Sequence, residues 1–262
     1  MVARALEYIR AGDVYQVNIA HRLTMPFDGS PRALMAALLS TATPRHGFYA
    51  ELPGAHKDAH TALCSASPEL FLAYDPKTRA VRTQPMKGTR PIGADPEELR
   101  ASPKDRAELD MITDLMRNDL GRVCAFGSVR VEAARTIEAH ASSVWQATST
   151  VSGRLRAGLS AADLVRATFP PGSITGAPKV RAMQIIDELE PNPRGYYCGA
   201  LGWLDDSGAM SLNVAIRTAT VSGGTLHYHT GAGIVADSDP TEEWAETCAK
   251  AAVLLASVNS PC

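Results

Sequence analysis

The residue with most chemistry to offer is a lysine between a proline and a glycine, in Gln84-Pro85-Met86-Lys87-Gly88-Thr89-Arg90-Pro91. Pro85 cannot donate to a strand ladder and Gly88 tolerates positive φ. The backbone is therefore stiff before Lys87 and permissive after it, as a loop displaying one side chain requires. An amine displayed in this way is a nucleophile if a site keeps it neutral, and otherwise a solvated surface lysine. Glu69 follows Ser67-Pro68 at the head of a strand leading towards Lys87, where it either reaches the same cavity or ends a strand in water. Glu108 precedes Met111, Ile112 and Leu115 at spacings that put it on the buried face of a helix. A carboxylate there needs an arginine or a metal ion. Glu243, Glu246 and Lys250 share one face of the last helix, a pattern also usual for a solvated charged surface.

Two further features suit an anion. The loop Gly172-Ser173-Ile174-Thr175-Gly176-Ala177-Pro178-Lys179 runs into a helix, whose first amides favour negative charge. Its glycine spacing is not that of a nucleotide-binding loop, so a carboxylate is the better ligand. Arg217, on a strand face shared with Asn213 and Ala215, is either a bidentate carboxylate binder or a surface residue.

The positioning elements follow from periodicity and punctuation. Val2, Leu6 and Ile9 mark a helix closed by Gly12. Residues 13–23 read as a strand with the amides of Gln16 and Asn18 on one face, a hint of a polar pocket. Ser30-Pro31, Ser102-Pro103 and Asp239-Pro240 are helix starts, and Ser160 caps a shorter helix. Strands are expected over 69–74 and 79–83, joined by Asp75-Pro76-Lys77-Thr78, and over 129–132 and 144–151. The stretch 46–66 is weakly patterned, with a turn at Pro53-Gly54. Pro178 opens a helix whose expected core positions are Val180, Met183, Ile186 and Leu189. Residues 199–204 and 210–221 form a hairpin, 225–230 another strand, and Gly231-Ala232-Gly233 permits close backbone approach.

Composition narrows the function class. The 262 residues are 45% hydrophobic and 21% charged, with a net charge of -2, which argues against a nucleic-acid binder and for a small-molecule role. Five cysteines without CxxC spacing indicate neither a disulfide framework nor a zinc site and suit a reducing cytoplasm. The N-terminus has no apolar run long enough for a signal peptide or membrane span.

The stretches YIRAGDVYQVN, SPELF, QPMKGTRP, DRAELDMITDLMRNDLGRV, FPPGSITGAPKVRAMQIIDELEP, YYCGALGWL, LNVAIRT and GAGIVADSDPTEEWAETCAK together resemble, in order and over essentially the whole chain, the chorismate-utilising enzymes. Within that family they are most similar to component I of aminodeoxychorismate synthase. The resemblance implies an α+β fold of mainly antiparallel β-sheets packed face to face with flanking helices. It implies one catalytic domain over residues 1–262, without the N-terminal half usual in the family. It also implies Mg²⁺, with Glu108 and Glu246 as ligands and Glu243 close by, acting through water. Tyr197 and Arg217 match residues that bind the enolpyruvyl carboxylate; Thr175, Gly231 and Lys250 match other substrate contacts. Glu69 matches the general acid that protonates the departing C4 hydroxyl, and Lys87 the lysine that adds at C2 before ammonia attacks C4. The implied product is 4-amino-4-deoxychorismate, for p-aminobenzoate and folate synthesis. Ammonia would come from glutamine through a partner amidotransferase, since no second Cys/His/Glu constellation is visible.

Two positions sort the subfamilies. Water-adding relatives use a lysine base where this chain has Gln16, and anthranilate synthases carry alanine where it has Lys87. Anthranilate synthase component I is the alternative, together with a chorismate-binding module of impaired catalysis. Gln146 replaces a family histidine, Met86 an isoleucine and Pro171 a glycine. The first of these removes any acid–base role held by that histidine.

Overall fold

Every strand pairing among the described residues is antiparallel, and the strands build two sheets with helices laid against them, an α+β fold. The computed structural model describes residues 1–53, 60–140 and 144–258. In chain order the elements are α1 (Val2–Arg10), β1 (Gln16–Pro26), α2 (Pro31–Ala42), β2 (Phe48–Pro53), β3 (His60–Ser65), β4 (Leu70–Asp75), β5 (Ala80–Gln84), β6 (Met86–Pro91), α3 (Pro96–Ala101) and α4 (Pro103–Gly121). They continue with β7 (Arg130–His140), β8 (Val144–Arg154), α5 (Ala161–Thr168), β9 (Gly176–Ala177), α6 (Lys179–Leu189), β10 (Ala200–Leu204), β11 (Met210–Val214), β12 (Thr218–Ser222), β13 (Thr225–Ile234) and α7 (Pro240–Val258).

Helices begin where the sequence supplies caps. Ser30 accepts from the Ala33 amide, Ser102 from that of Asp105, and Asp239 from those of Thr241 and Glu242. Ser160 and Asp163 form a reciprocal capping box. α1 closes before Gly12, whose φ of +81° is a left-handed turn that glycine adopts freely.

The chain divides into two compact units. The first comprises Met1–Ser67, Ile174–Gly199 and Ala215–Cys262, the second Pro68–Ser173 and Ala200–Val214. In the first unit the strands run in the order β2-β3-β12-β13-β1-β9. One face of this sheet is apolar. Leu226 and Tyr228 of β13 pack with Leu34 and Leu38 of α2 and Leu254 of α7, while Val17 and Ile19 of β1 pack with Leu6 of α1 and Ile185 of α6. Each wholly buried leucine or isoleucine contributes about 1.5–3 kcal/mol. By the strand period of two, the opposite face presents Gln16, Asn18 and Ala20 beside Gly231 and Gly233, since Asn18 pairs with Gly233 and Ala20 with Gly231. The two amides do share one face, and their neighbours on it are small residues.

The second unit holds β10-β11-β4-β5-β8-β6, with β7 also paired to β8. The long β8 carries β5 through residues 151–154 and β6 through residues 144–148. Ala147 of β8 packs with Leu99 of α3 and Leu109 of α4, which draws both helices over the face carrying Lys87, the cross-strand partner of Ala147.

Several sequence expectations change. Lys87 lies in strand β6 rather than on a loop: Met86 pairs with Thr148 and Lys87 with Ala147, and pairing resumes at Thr89 and Gln146 after a bulge at Gly88. The φ of +76° at Gly88 accommodates the extra residue. Residues 48–53 and 60–65 are strands, and β3 lacks a readable alternation because four successive residues are buried. Of the turn expected at Pro53-Gly54, Gly54 lies outside the described residues. The strand expected over 210–221 is two strands in two sheets, β11 beside β4 and β12 beside β3 and β13. Arg217, at φ +51°, interrupts it, so its facing does not follow from alternation. Pro178 caps α6 instead of opening it, and the helix buries Ala182, Ile185 and Ile186 while exposing Val180 and Met183. Close packing selects that face, because a Cβ on Gly176 would lie 2.8 Å from that of Ala182.

Candidate functional site

In the second unit, β6 presents Lys87 at its bulge with the side chain only 14% exposed, and Nζ lies 3.7 Å from Glu108 Oε2 on α4. That separation is an ion contact rather than a hydrogen bond. The bulge needs glycine: a Cβ on Gly88 would meet Leu99 Cδ1 at 2.6 Å and Asp105 Oδ1 at 2.8 Å. Asp105 also binds Arg90 at 2.9 Å, so the start of α4 is tied to the strand that carries the lysine. Just before β4, the buried Glu69 accepts a hydrogen bond of 2.5 Å from Ser173 Oγ, and its carbonyl accepts from the Val214 amide. A carboxyl held by a hydroxyl and shielded from water is an environment suited to a general acid. Gln146 of β8 is buried opposite Thr89 of β6, donating to Thr89 Oγ1 at 3.3 Å, while its Oε1 has no partner.

In the first unit, Tyr197 stacks on His229 of β13 with ring centroids 5.3 Å apart, and its hydroxyl lies 3.0 Å from where a Cβ on Gly231 would stand. Burial pushes the Tyr197 hydroxyl well above its usual range, so it stays protonated and able to donate. Burial likewise pushes His229 down, to about 4, with Arg22 and Arg194 adding to the effect. Thr175 is buried, and its carbonyl accepts from the Asn18 amide at 2.9 Å. Gln16 is wholly buried with both amide atoms unpartnered. Buried amides ordinarily find partners, so this one is suited to a polar group from outside the chain.

Lys250 of α7 donates to the Gly231 carbonyl at 2.9 Å and contacts Glu246 Oε1 at 2.5 Å. Glu243, one turn before Glu246, is only 7% exposed and accepts from Ser238 Oγ at 2.6 Å, whereas Glu246 is 53% exposed, so the face is buried at one end and solvated at the other. Arg217 sits between β11 and β12, its carbonyl accepting from the Ala66 amide. The structure therefore brings Lys87 to Glu108, and Tyr197 and Lys250 to Gly231. Glu108 belongs to the second unit, Glu243 and Glu246 to the first. Among the described residues no three His, Cys, Asp or Glu side chains are clustered as a metal site.

Four residues of these surroundings were not singled out from the sequence: Ser173, His229, Glu190 and Arg194. Ser173 was within a loop already marked for ligand binding, so its hydroxyl was the available signal. Glu190 and Arg194 bond to each other at 2.6 Å across Pro191 and Pro193, where no helical spacing applies and no local pattern reveals the pair.

The sequence matches the chorismate binding enzyme family over residues 1–256. It is 44% identical over 265 residues to anthranilate synthase component 1 of Streptomyces coelicolor, covering 98% of this chain and 50% of that protein. It is 45% identical over 261 residues to aminodeoxychorismate synthase component 1 of Klebsiella aerogenes, covering 97% of this chain and 56% of that one. The chain thus spans about half the length of these relatives. A solved structure titled as a putative 2,3-dihydroxybenzoate-specific isochorismate synthase, DhbC from Bacillus anthracis, superposes with a TM-score of 0.87 at 29% identity, over 98% of this chain and 70% of that one. Three differently named activities on one fold mean that the reaction must be argued from individual residues. With the family match running through nearly every element described above, this chain belongs to the chorismate binding enzyme family.

Proposed function

We propose that the chain aminates chorismate at C4, the reaction of an aminodeoxychorismate synthase component 1. The observation that carries this reading is Lys87, a lysine sheltered at a strand bulge and facing Glu108 without a hydrogen bond to it. The amine of Lys87 adds at C2 as the ring double bond shifts and the C4–O bond breaks, while Glu69 gives its proton to the departing hydroxyl, which leaves as water. Ammonia then bonds to C4, the C2–N bond breaks, and the lysine is released as the product ammonium returns a proton to Glu69. Chorismate and ammonia are consumed, and 4-amino-4-deoxychorismate and water are formed. Tyr197 donates to the enolpyruvyl carboxylate, with Arg217 as its cationic partner, and Thr175, Gly231 and Lys250 complete the substrate contacts.

Mg²⁺ belongs to the same proposal. Glu243 and Glu246 lie one turn apart on α7 and, with Glu108, would supply carboxylate oxygens, the donors that hard cations take. When bound, the ion would neutralise a substrate carboxylate. Chorismate affinity by calorimetry should fall in EDTA. Ammonia is assigned to a separate glutamine amidotransferase, consistent with the "component 1" in the relatives' names.

Anthranilate synthesis is the second reading, favoured by the 44% identity to the Streptomyces coelicolor enzyme. Loss of pyruvate separates the two. The purified chain with chorismate, Mg²⁺ and ammonium salt should give a 4-amino product that keeps its enolpyruvyl group, and a lactate dehydrogenase couple should detect no pyruvate. Stoichiometric pyruvate with fluorescent anthranilate would replace the first reading by the second. Quenching with chorismate and no ammonia should leave a substrate-sized adduct on Lys87 in intact-protein mass spectra.

A further inference from the structure

We infer that Arg194 is a positioning residue, whose guanidinium ties the C-cap of α6, strand β1 and the segment before β9 into one assembly that sets where Thr175 and Tyr197 stand. The inference rests on the proposed function in taking those two residues as chorismate contacts.

The guanidinium forks onto Glu190, with Nε 2.9 Å from Oε2 and Nη2 2.6 Å from Oε1. Its remaining reach goes to backbone carbonyls: Nη1 donates to Ile174 at 3.0 Å and Nη2 to Asn18 at 2.7 Å. Ile174 directly precedes Thr175, and the Asn18 amide donates to the Thr175 carbonyl at 2.9 Å, so Thr175 is held from both sides. Glu190 Oε1 also accepts from the Ala20 amide at 2.8 Å. The Arg194 Cζ stands 5.7 Å from the Tyr197 ring centroid. One buried ion pair thus joins the polar face of the first sheet to both proposed binding residues.

Only arginine meets this geometry. A lysine ammonium is a point charge that keeps a bond to Glu190 but cannot span a carboxylate and two carbonyls in fixed directions. Tyr197 is assigned to the enolpyruvyl carboxylate, and neither it nor Thr175 is given a proton to move or a bond to make, so displacing them weakens ground state and transition state alike. Uniform binding of that kind is read in KM and not in kcat.

The test is Arg194→Lys in the full chain, which preserves the buried charge. The KM for chorismate should rise about tenfold with kcat held within about threefold. Amide hydrogen exchange, measured without substrate, should quicken in residues 16–20 and 174–178 and stay unchanged in α2. If Arg194→Lys does not fold, Glu190→Gln keeps acceptors for the Ala20 amide and should shift KM and exchange in the same direction by less. Unchanged exchange at 174–178 overturns the inference, as does a fall in kcat with KM unmoved or a uniform loss of protection throughout the unit. A wild-type chain that turned over no chorismate would sink the functional reading, while the exchange comparison would still decide the role of Arg194.

Discussion

Lys87 and Lys250 are both proposed to handle substrate, yet their surroundings differ. Lys87 projects from a strand bulge, 14% exposed, with Glu108 at 3.7 Å. Lys250 projects from helix α7, 37% exposed, and is held by Glu246 at 2.5 Å and the Gly231 carbonyl at 2.9 Å. An amine that must make and break a bond to carbon has to be sheltered without being committed to short bonds; one held by two charge-assisted bonds serves as a fixed cation. The first arrangement suits a nucleophile and the second a binding group.

Substitution should separate the two lysines sharply. Lys87→Ala should lower kcat for the 4-amino product at least about 10³-fold, whereas Lys250→Ala should act mainly on KM, by about tenfold. Steady-state rates with saturating ammonium would show it, and equal losses in kcat from both would erase the distinction. Next in size, Glu69→Gln keeps the shape and an acceptor for Ser173 but removes the transferable proton. A fall in kcat of about 10²–10⁴-fold is expected from the same assay.

Backbone support gives a smaller effect. Gly88→Ala adds a Cβ at positive φ against Leu99, and Gly231→Ala adds one 2.7 Å from the Ile19 carbonyl. Each should destabilise by about 1–3 kcal/mol in urea titrations. Gly88→Ala should also reduce formation of the Lys87 adduct at saturating chorismate, because it moves the bulge, whereas a loss from Gly231→Ala, at a proposed substrate contact, should be recovered by raising the chorismate concentration.

The smallest effect belongs to pH. His229, lowered to about 4 by burial, stays neutral in the folded chain while an unfolded histidine protonates below about 6.5. Between these values the unfolded state binds more protons, so His229 makes stability fall as pH drops from about 6.5 towards 4. Its part-exposed ring keeps the slope shallow. His229→Phe should flatten that limb of a Tm-against-pH curve, and an unchanged curve would remove His229 as its cause.

Helix starts were legible because caps are local. Ser30, Ser102, Ser160 and Asp239 each act on an amide two or three residues ahead, so the residues that decide the boundary are adjacent in sequence. The two-amide face of β1 was legible for the same reason, since the period of two is a property of the strand itself. Motif order carried the family, and with it the α+β class.

Contacts between distant segments were beyond that reach. Whether Lys87 sat on a loop or a strand depended on β8, which follows it only after two helices and another strand. Residues 210–221 read as one strand from the alternation over 212–217, yet β4 takes one half while β3 and β13 take the other, with Arg217 turning left-handed where the partners change. The bonds from Arg194 to the carbonyls of Asn18 and Ile174 left no periodic trace. Sequence by itself determined what each residue offers its immediate neighbours, because capping and pleat act over a few bonds; which strand, helix or carbonyl it meets was decided by the tertiary structure, through hydrogen bonding and burial between segments far apart in the chain.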